Sequence, residues 1–170
     1  MPSKFTIAPL ALAALLCASF AAQAQEHSVR IGVTGPLSGA NAFAGKDNEN
    51  GVRLAIEELN SQKIKVAGKT LRFELQSEDD AGDPKQATSV AQKLVDAKVN
   101  GVIGHQTSGT TIPASKIYHT GGIPQISPSS TSPKYTQQGF NTAFRTIAND
   151  VQLGQALGRY ATGAMKVRRV

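Results

Sequence analysis

The chain is poor in cysteine and in aromatic residues. Its single cysteine, Cys17, lies in an apolar stretch near the N-terminus, so the remainder has no disulfide framework. Tryptophan is absent, and phenylalanine and tyrosine together number nine. The formal net charge is +6, but the basic residues are scattered and are not interleaved with aromatic side chains. This composition favours an ordinary solvated surface over a nucleic-acid-binding face.

The sequence also lacks the usual patterns of catalytic and metal-binding sites. The three histidines are far apart and show no metal-ligand spacing. Ser108 does not lie in a Gly-x-Ser-x-Gly turn, and no acidic residue stands near His105 in the sequence to orient its ring. The glycine-containing loop 35–46 is not a phosphate loop, because five residues separate Gly39 from Gly45 and because Lys46 is followed by Asp47 where Ser or Thr would bind magnesium. We therefore expect no metal, no cofactor and no enzyme activity, although an exported α/β enzyme remains an alternative.

The N-terminus has the pattern of a secretory signal. Lys4 is the only charged residue among the first 25, and an apolar run over residues 5–20 follows it. Ala22 and Ala24 supply the small residues of a cleavage site. The pattern predicts a signal peptide over residues 1–24, a mature chain that begins at Gln25 with a net charge of +5, and a periplasmic location.

The rest of the chain alternates between strand and helix patterns. Expected strands cover residues 28–34, 70–76, 102–103, 123–126 and 141–147, and expected helices cover 48–62, 112–120 and 150–163, with a further helix beginning at Pro84. Asp83 and Pro84 are suited to the N-cap and first helical position of that helix. The alternation predicts an α/β fold with a doubly wound, Rossmann-like parallel sheet. The helix at 48–62 should bury one apolar face, formed by Val52, Leu54, Ala55, Ile56 and Leu59.

Two loops rich in serine and threonine follow two of the expected strands. The first covers residues 104–111 and the second covers residues 127–133. In an open α/β sheet, ligands bind beyond the carboxyl ends of the strands. Hydroxyls and helix N-terminal amides can hold a carboxylate, and backbone carbonyls can hold an ammonium. The loops therefore predict a site for a small polar or zwitterionic ligand.

Several ordered motifs carry a resemblance to a known family. They are residues 35–39, 79–87, Gly104 and His105, Ser108, 113–115, Tyr118, Gly122 and Ile123, and 128–133. Together they resemble the leucine/isoleucine/valine-binding proteins of bacterial amino-acid ABC importers. The resemblance extends from about Val29 to Gly139.

The resemblance implies a two-lobed type I periplasmic binding protein. Residues 25–163 would form its first ligand-binding lobe, and residues 164–170 would begin a hinge strand to a second lobe. Such a protein is a monomer that performs no chemistry. It binds a branched-chain or related amino acid and delivers it to a permease in the inner membrane. Two alternatives keep the same fold: a binding protein for an amide, urea or aromatic acid, and a sensory ligand-binding domain.

The resemblance also implies roles for particular residues. Ser108 and Thr131 correspond to positions that hold the ligand carboxylate, and Ser129 corresponds to a backbone-carbonyl contact. His105 corresponds to a structural position beside the site. Strand-like alternation predicts that Ser130 points away from its two neighbours.

Three further residues complete the predicted site. Thr107 belongs to the first hydroxyl loop. Ser38 lies in the loop after the first strand and is expected near the ligand. Phe43 is expected there too, one residue before the position, here Ala44, at which the family often carries an aromatic side chain.

Overall fold

The computed structural model describes residues 26–169. The predicted signal peptide and Cys17 lie outside these residues. Six strands form one sheet in the order β2-β3-β1-β4-β5-β6. They are β1 (Glu26–Gly35), β2 (Lys65–Val66), β3 (Lys69–Asp79), β4 (Gly101–Ile103), β5 (Gln125–Ser127) and β6 (Ala143–Arg145).

The predicted parallel α/β sheet is confirmed, with one exception at its edge. Strand β1 pairs in parallel with both β3 and β4, and β4-β5 and β5-β6 are also parallel. The two-residue strand β2 pairs antiparallel with β3 and was not predicted. The chain winds first to one side of β1 and then to the other, which is the arrangement of a doubly wound sheet.

Four helices connect the strands: α1 (Ala42–Ser61), α2 (Pro84–Asp96), α3 (Ser108–Thr120) and α4 (Asp150–Arg159). The predicted start of α2 is confirmed, because the Asp83 side chain accepts hydrogen bonds from Lys85 N and Gln86 N. Helix α1 begins six residues before the predicted start at residue 48. Helix α3 begins at Ser108, so Pro113 lies inside the helix and not in its first turn.

The last described residues follow helix α4. A π-helical turn, Tyr160–Ala164, extends that helix, and residues 165–169 form neither helix nor strand. The hinge strand expected at 164–170 therefore stays a prediction. None of the helices within residues 26–169 is long and apolar enough to cross a membrane.

The main core lies between the sheet and the helix pair α2 and α3. Gly32 allows α2 to approach β1, because a Cβ there would lie 3.1 Å from the Leu94 methyl groups. The core residues are Val90, Ala91, Leu94, Val99, Val102, Ala114, Tyr118 and Ile123. This core fixes β4 and α3, the two elements that flank the first hydroxyl loop.

The face of the sheet that carries α1 is much more open. Of the predicted apolar face of α1, only Ile56 is buried, and Leu54 is 67% exposed. The expectation that this face would be buried is therefore wrong for the described residues. Together with Ile31, Phe73 and Ile103, it lines a groove of about 720 Å³.

Candidate ligand-binding site

The two hydroxyl loops leave the sheet at neighbouring strand ends. The first follows β4 and leads into α3, and the second follows β5. Strands β4 and β5 are paired in parallel, with Ile103 opposite Ile126. The loops therefore emerge at the same edge, next to the point where the chain changes direction around β1.

Direct hydrogen bonds join the loops at Ser108. Its Oγ accepts from the Ser130 hydroxyl at 3.1 Å and from the Ser132 backbone N–H at 3.2 Å. Thr131 lies between these two donors in the sequence, which places it beside Ser108. The prediction that Ser130 points away from Ser129 is wrong, because both hydroxyls bond to the first loop and the Ser130 side chain is fully buried. The segment is an irregular loop, so strand alternation does not apply to it.

The remaining members of the second loop are anchored on both sides. The Ser129 hydroxyl donates to the Gln106 carbonyl at 2.6 Å, which ties the second loop to the first. The Thr131 carbonyl accepts from the first amide of α4, Asp150 N, at 2.9 Å. The loop backbone is thus held against two other elements, while the half-buried Ser108 and Thr131 side chains remain partly accessible.

Thr107 has a local structural role. It is the N-cap of α3, and its Oγ1 accepts from Thr110 N at 3.3 Å and lies 3.0 Å from Thr110 Oγ1. Its carbonyl accepts from the Thr111 hydroxyl at 2.7 Å. These bonds fix the first turn of α3 and therefore the position of the neighbouring Ser108.

Ser38 lies in the segment between β1 and α1, Phe43 lies in the first turn of α1, and both residues are exposed. No hydrogen bond within residues 26–169 joins either one to a hydroxyl loop. A nearby link is made by Asn48 of α1, whose amide donates to Gln106 Oε1 in the first loop. The structure thus places α1 against the first loop but does not assign a contact to Ser38 or Phe43.

Asp79, at the end of β3, holds the segment between β1 and α1 that contains Ser38. Its Oδ1 accepts from Leu37 N and Ala81 N, each at 2.8 Å. Partial burial raises the pKa of the Asp79 carboxyl, but hydrogen bonds from the Ser38 side chain and from the backbone of Ala81, Leu37 and Ser38 outweigh it and hold the pKa below its ordinary value.

His105 lies beneath the first loop in a buried polar cluster. Its Nδ1 is 2.6 Å from Asp80 Oδ2 and 3.2 Å from Thr34 Oγ1. Its Nε2 is 3.2 Å from the Tyr118 hydroxyl. Asp80 therefore orients the ring, which corrects the expectation that no acidic residue is near. Burial raises the pKa of Tyr118, and the Asp80 carboxylate raises it further, so the phenol keeps its proton.

The cluster supports the loops and does not activate a nucleophile. Both ring nitrogens of His105 face buried partners, and neither bonds to Ser108. Its backbone carbonyl instead accepts from the Ser127 hydroxyl at 2.9 Å and from the Thr111 hydroxyl at 3.1 Å. Gly104 precedes it at φ +132°, where a Cβ would lie 2.1 Å from Thr34 O. The turn into the first loop therefore requires glycine.

Arg145 is a further site residue that the sequence analysis did not identify. Its Nη1 donates to the Ser130 carbonyl at 3.1 Å and to the Ser132 carbonyl at 2.9 Å. Its Nη2 donates to the Thr136 hydroxyl. The guanidinium also lies 5.7 Å from the centre of the Tyr135 ring. One side chain on β6 thus organises the backbone of the second loop.

The site has the polarity that a small zwitterion requires. Within residues 26–169, no three metal-ligating side chains come together, and the half-buried centre of the site is built from hydroxyls and backbone amides. The adjoining groove beside α1 is lined mainly by apolar side chains, including Ile103 and Pro128 at its border with the loops. The hydroxyl loops suit a charged ligand group better than the groove does.

Comparison with known proteins gives one family. A family model described as periplasmic binding protein matches residues 28–170. The Leu/Ile/Val-binding protein homolog 1 of Brucella abortus (strain 2308) is 40% identical over 157 residues, which are 92% of this chain and 41% of that protein. The chain therefore spans about two fifths of the length of the curated relatives it matches.

Solved structures agree with the sequence comparison. The branched-chain amino acid transporter substrate-binding protein of Streptococcus pneumoniae, in complex with isoleucine, has a TM-score of 0.73 and 30% identity, covering 82% of this chain and 39% of that one. A solute-binding protein of an ABC transporter from R. palustris, in complex with benzoate, has a TM-score of 0.69 and 28% identity, covering 82% of this chain and 38% of that one.

Proposed function

The chain belongs to the periplasmic binding protein family, and from that premise we propose that it forms a ligand-binding lobe of the solute-binding component of an ABC importer. The observation that carries the proposal is the bridge at Ser108. Two loops from neighbouring strands meet there through the Ser130 hydroxyl and the Ser132 amide. They form a small polar surface at the edge of the sheet where ligands bind in this class of fold.

The proposed ligand is a branched-chain or related aliphatic L-amino acid. Ser108 and Thr131 offer hydroxyls to the α-carboxylate, and the Ser129 backbone carbonyl offers an acceptor to the α-ammonium. Support comes from the Brucella relative, named for leucine, isoleucine and valine, and from the S. pneumoniae structure, which holds isoleucine. Ser38 and Phe43 remain proposed contacts on the α1 side of the site.

The biological role follows from the family. A signal peptide over residues 1–24 would be removed on export, and the protein would work in the periplasm as a monomer. Two lobes would close on the amino acid, and the closed form would dock on the permease in the inner membrane. No chemical step is involved. Two observations support this interpretation: the relatives are binding proteins, and His105 lies away from Ser108.

An aromatic acid is the second candidate ligand. The R. palustris relative holds benzoate at a similar level of structural likeness. Benzoate and isoleucine share a carboxylate but differ in their other groups. The carboxylate-binding role of Ser108 and Thr131 is common to both candidates, whereas the Ser129 contact serves only the amino acid.

Calorimetry of the full-length protein against a panel of amino acids and aromatic acids tests the proposal. The expected result is one binding site for leucine, isoleucine or valine. Preparation through a denaturation and refolding cycle removes any ligand retained from the cell. Tight binding of benzoate with no binding of leucine would support the second candidate and exclude the first.

A further inference from the structure

We propose that Ser130 is a positioning residue that makes the Ser108 hydroxyl an obligate hydrogen-bond donor towards the ligand. The inference rests on the proposed function and specifies the chemistry of the ligand group that meets Ser108. It is based on the two hydrogen bonds that Ser108 Oγ accepts from the second loop.

A serine hydroxyl has one proton to donate and two lone pairs that can accept. At Ser108 Oγ, the Ser130 hydroxyl occupies one acceptor site at 3.1 Å and the Ser132 amide occupies the other at 3.2 Å. Only the proton of Ser108 remains. Within residues 26–169 no group accepts a hydrogen bond from it, and the side chain is only half buried.

Ser130 is held so that it cannot easily reverse its role. Its amide donates to Ser127 Oγ at 3.0 Å, and its carbonyl accepts from Arg145 Nη1 at 3.1 Å. The side chain itself is fully buried. If Ser108 donated to Ser130 instead, the buried Ser130 proton would have no acceptor within residues 26–169, so the hydrogen bond runs from Ser130 to Ser108.

The arrangement selects a ligand group that accepts hydrogen bonds and does not donate them. A carboxylate has acceptor sites only, so it satisfies Ser108 in either orientation of its two oxygens. A primary amide can meet Ser108 only through its carbonyl oxygen, because in the reverse orientation its NH₂ group finds no free lone pair on Ser108. The bridge therefore discriminates an acid from its amide, beyond the effect of the ligand charge.

The experiment measures the affinities of L-leucine and L-leucinamide for the full-length protein and its Ser130→Ala variant. Removal of the Ser130 hydroxyl frees one lone pair of Ser108, which can then accept from the amide. We expect leucine to bind about threefold to tenfold more weakly and leucinamide to be little affected, so that the acid-to-amide affinity ratio narrows. Ser130→Cys retains a weak donor and should give an intermediate ratio.

Ser115→Ala is the matched control. Ser115 is equally buried, but its hydroxyl donates to the Ile112 carbonyl and accepts from Gln138, away from Ser108. This variant should leave the acid-to-amide ratio unchanged. Melting curves of all variants report folding separately from the ratio.

The outcomes separate the inference from the proposed function. Wild-type protein that binds neither leucine nor another carboxylate would refute the function and the inference together. A second outcome is that the wild type binds leucine but Ser130→Ala leaves the acid-to-amide affinity ratio unchanged, because it weakens the binding of both ligands by the same factor or not at all. In that case the proposed function stands and the donor assignment is overturned. For a different carboxylate ligand, the same comparison uses that acid and its amide.

Discussion

The carboxylate of Asp80 accepts a hydrogen bond from His105 Nδ1 across 2.6 Å, although the two residues are 25 positions apart in the chain. Both side chains are fully buried. Asp80 Oδ1 also accepts from Gly82 N at 2.8 Å, so one carboxylate joins the turn after β3 to the loop after β4. The pair lies directly beneath the first hydroxyl loop and couples the stability of the fold to the geometry of the site.

Replacing Asp80 by alanine should strongly destabilise the protein. The change removes the carboxylate that accepts from His105 Nδ1 and from Gly82 N, and each buried hydrogen-bonding group left unsatisfied costs about 1–3 kcal/mol. Asp80→Asn should cost less, because the amide oxygen can still accept from His105. Urea unfolding followed by circular dichroism measures both. Asp96→Ala, at an exposed site on α2, is the control and should change stability by less than about 0.5 kcal/mol.

An Asp80→Ala protein as stable as the Asp96→Ala control would show that the Asp80–His105 pair makes no net contribution to the free energy of unfolding. Asp80→Ala should also lose more leucine affinity than Asp80→Asn when both variants are compared below their melting temperatures. That comparison separates the support of the loop from global unfolding.

The main outline of the fold could be predicted because it depends on local patterns. Asp83 and Pro84 mark the start of α2 through the chemistry of the N-cap, and the structure confirms them. The parallel sheet follows from the alternation of strands and helices. The two hydroxyl loops were identified because each follows a short apolar run.

Contacts between distant segments could not be predicted in the same way. The partnership of His105 with Asp80 joins two loops, and nothing in the spacing of the residues reports it. Arg145 is a single basic residue in an expected strand, with no pattern to distinguish it from a surface charge. The open face of α1 shows the same limit, since periodicity reveals which side of a helix is apolar but not which segment covers it.

Arg145→Lys should weaken leucine binding by about tenfold while leaving the fold intact. The guanidinium donates to two carbonyls of the second loop and to Thr136, and a single ammonium group cannot reproduce that planar set. Titration calorimetry measures the affinity, and amide hydrogen exchange should show faster exchange in residues 130–136. Arg72→Lys, at an exposed position on β3, is the control. Unchanged affinity and exchange would show that the loop holds its shape without Arg145.

Asp79 should contribute stability that depends on pH in the acid range. Its pKa is lower in the folded protein than the ordinary value of 3.8, so its contribution is present above that value and is lost as the pH falls through the folded pKa. The difference in unfolding free energy between the wild type and Asp79→Asn should therefore shrink as the pH is lowered from 6 towards about 2.5. Urea unfolding at a series of pH values measures it. A constant difference across the series would contradict the assignment.

Ser108→Ala and Thr131→Ala should each weaken the binding of leucine by roughly tenfold to a hundredfold. A hydrogen bond to a charged group contributes about 1.5–3 kcal/mol, and each 1.4 kcal/mol is a factor of ten. Thr131→Ser keeps the hydroxyl and should retain most of the affinity. Ser89→Ala removes an exposed hydroxyl that bonds to the Lys85 carbonyl on α2, so it should bind like the wild type.

The Ser108 and Thr131 variants should also differ in their effect on the rest of the site. Loss of the Ser108 hydroxyl removes the acceptor for Ser130 and Ser132 and loosens the bridge between the loops. The Thr131 carbonyl, in contrast, keeps its bond from Asp150 N whatever side chain is present. Faster amide exchange at residues 130–132 is therefore expected in Ser108→Ala and not in Thr131→Ala. Wild-type affinity in both alanine variants, with unchanged melting curves, would mean that the ligand binds elsewhere on the protein.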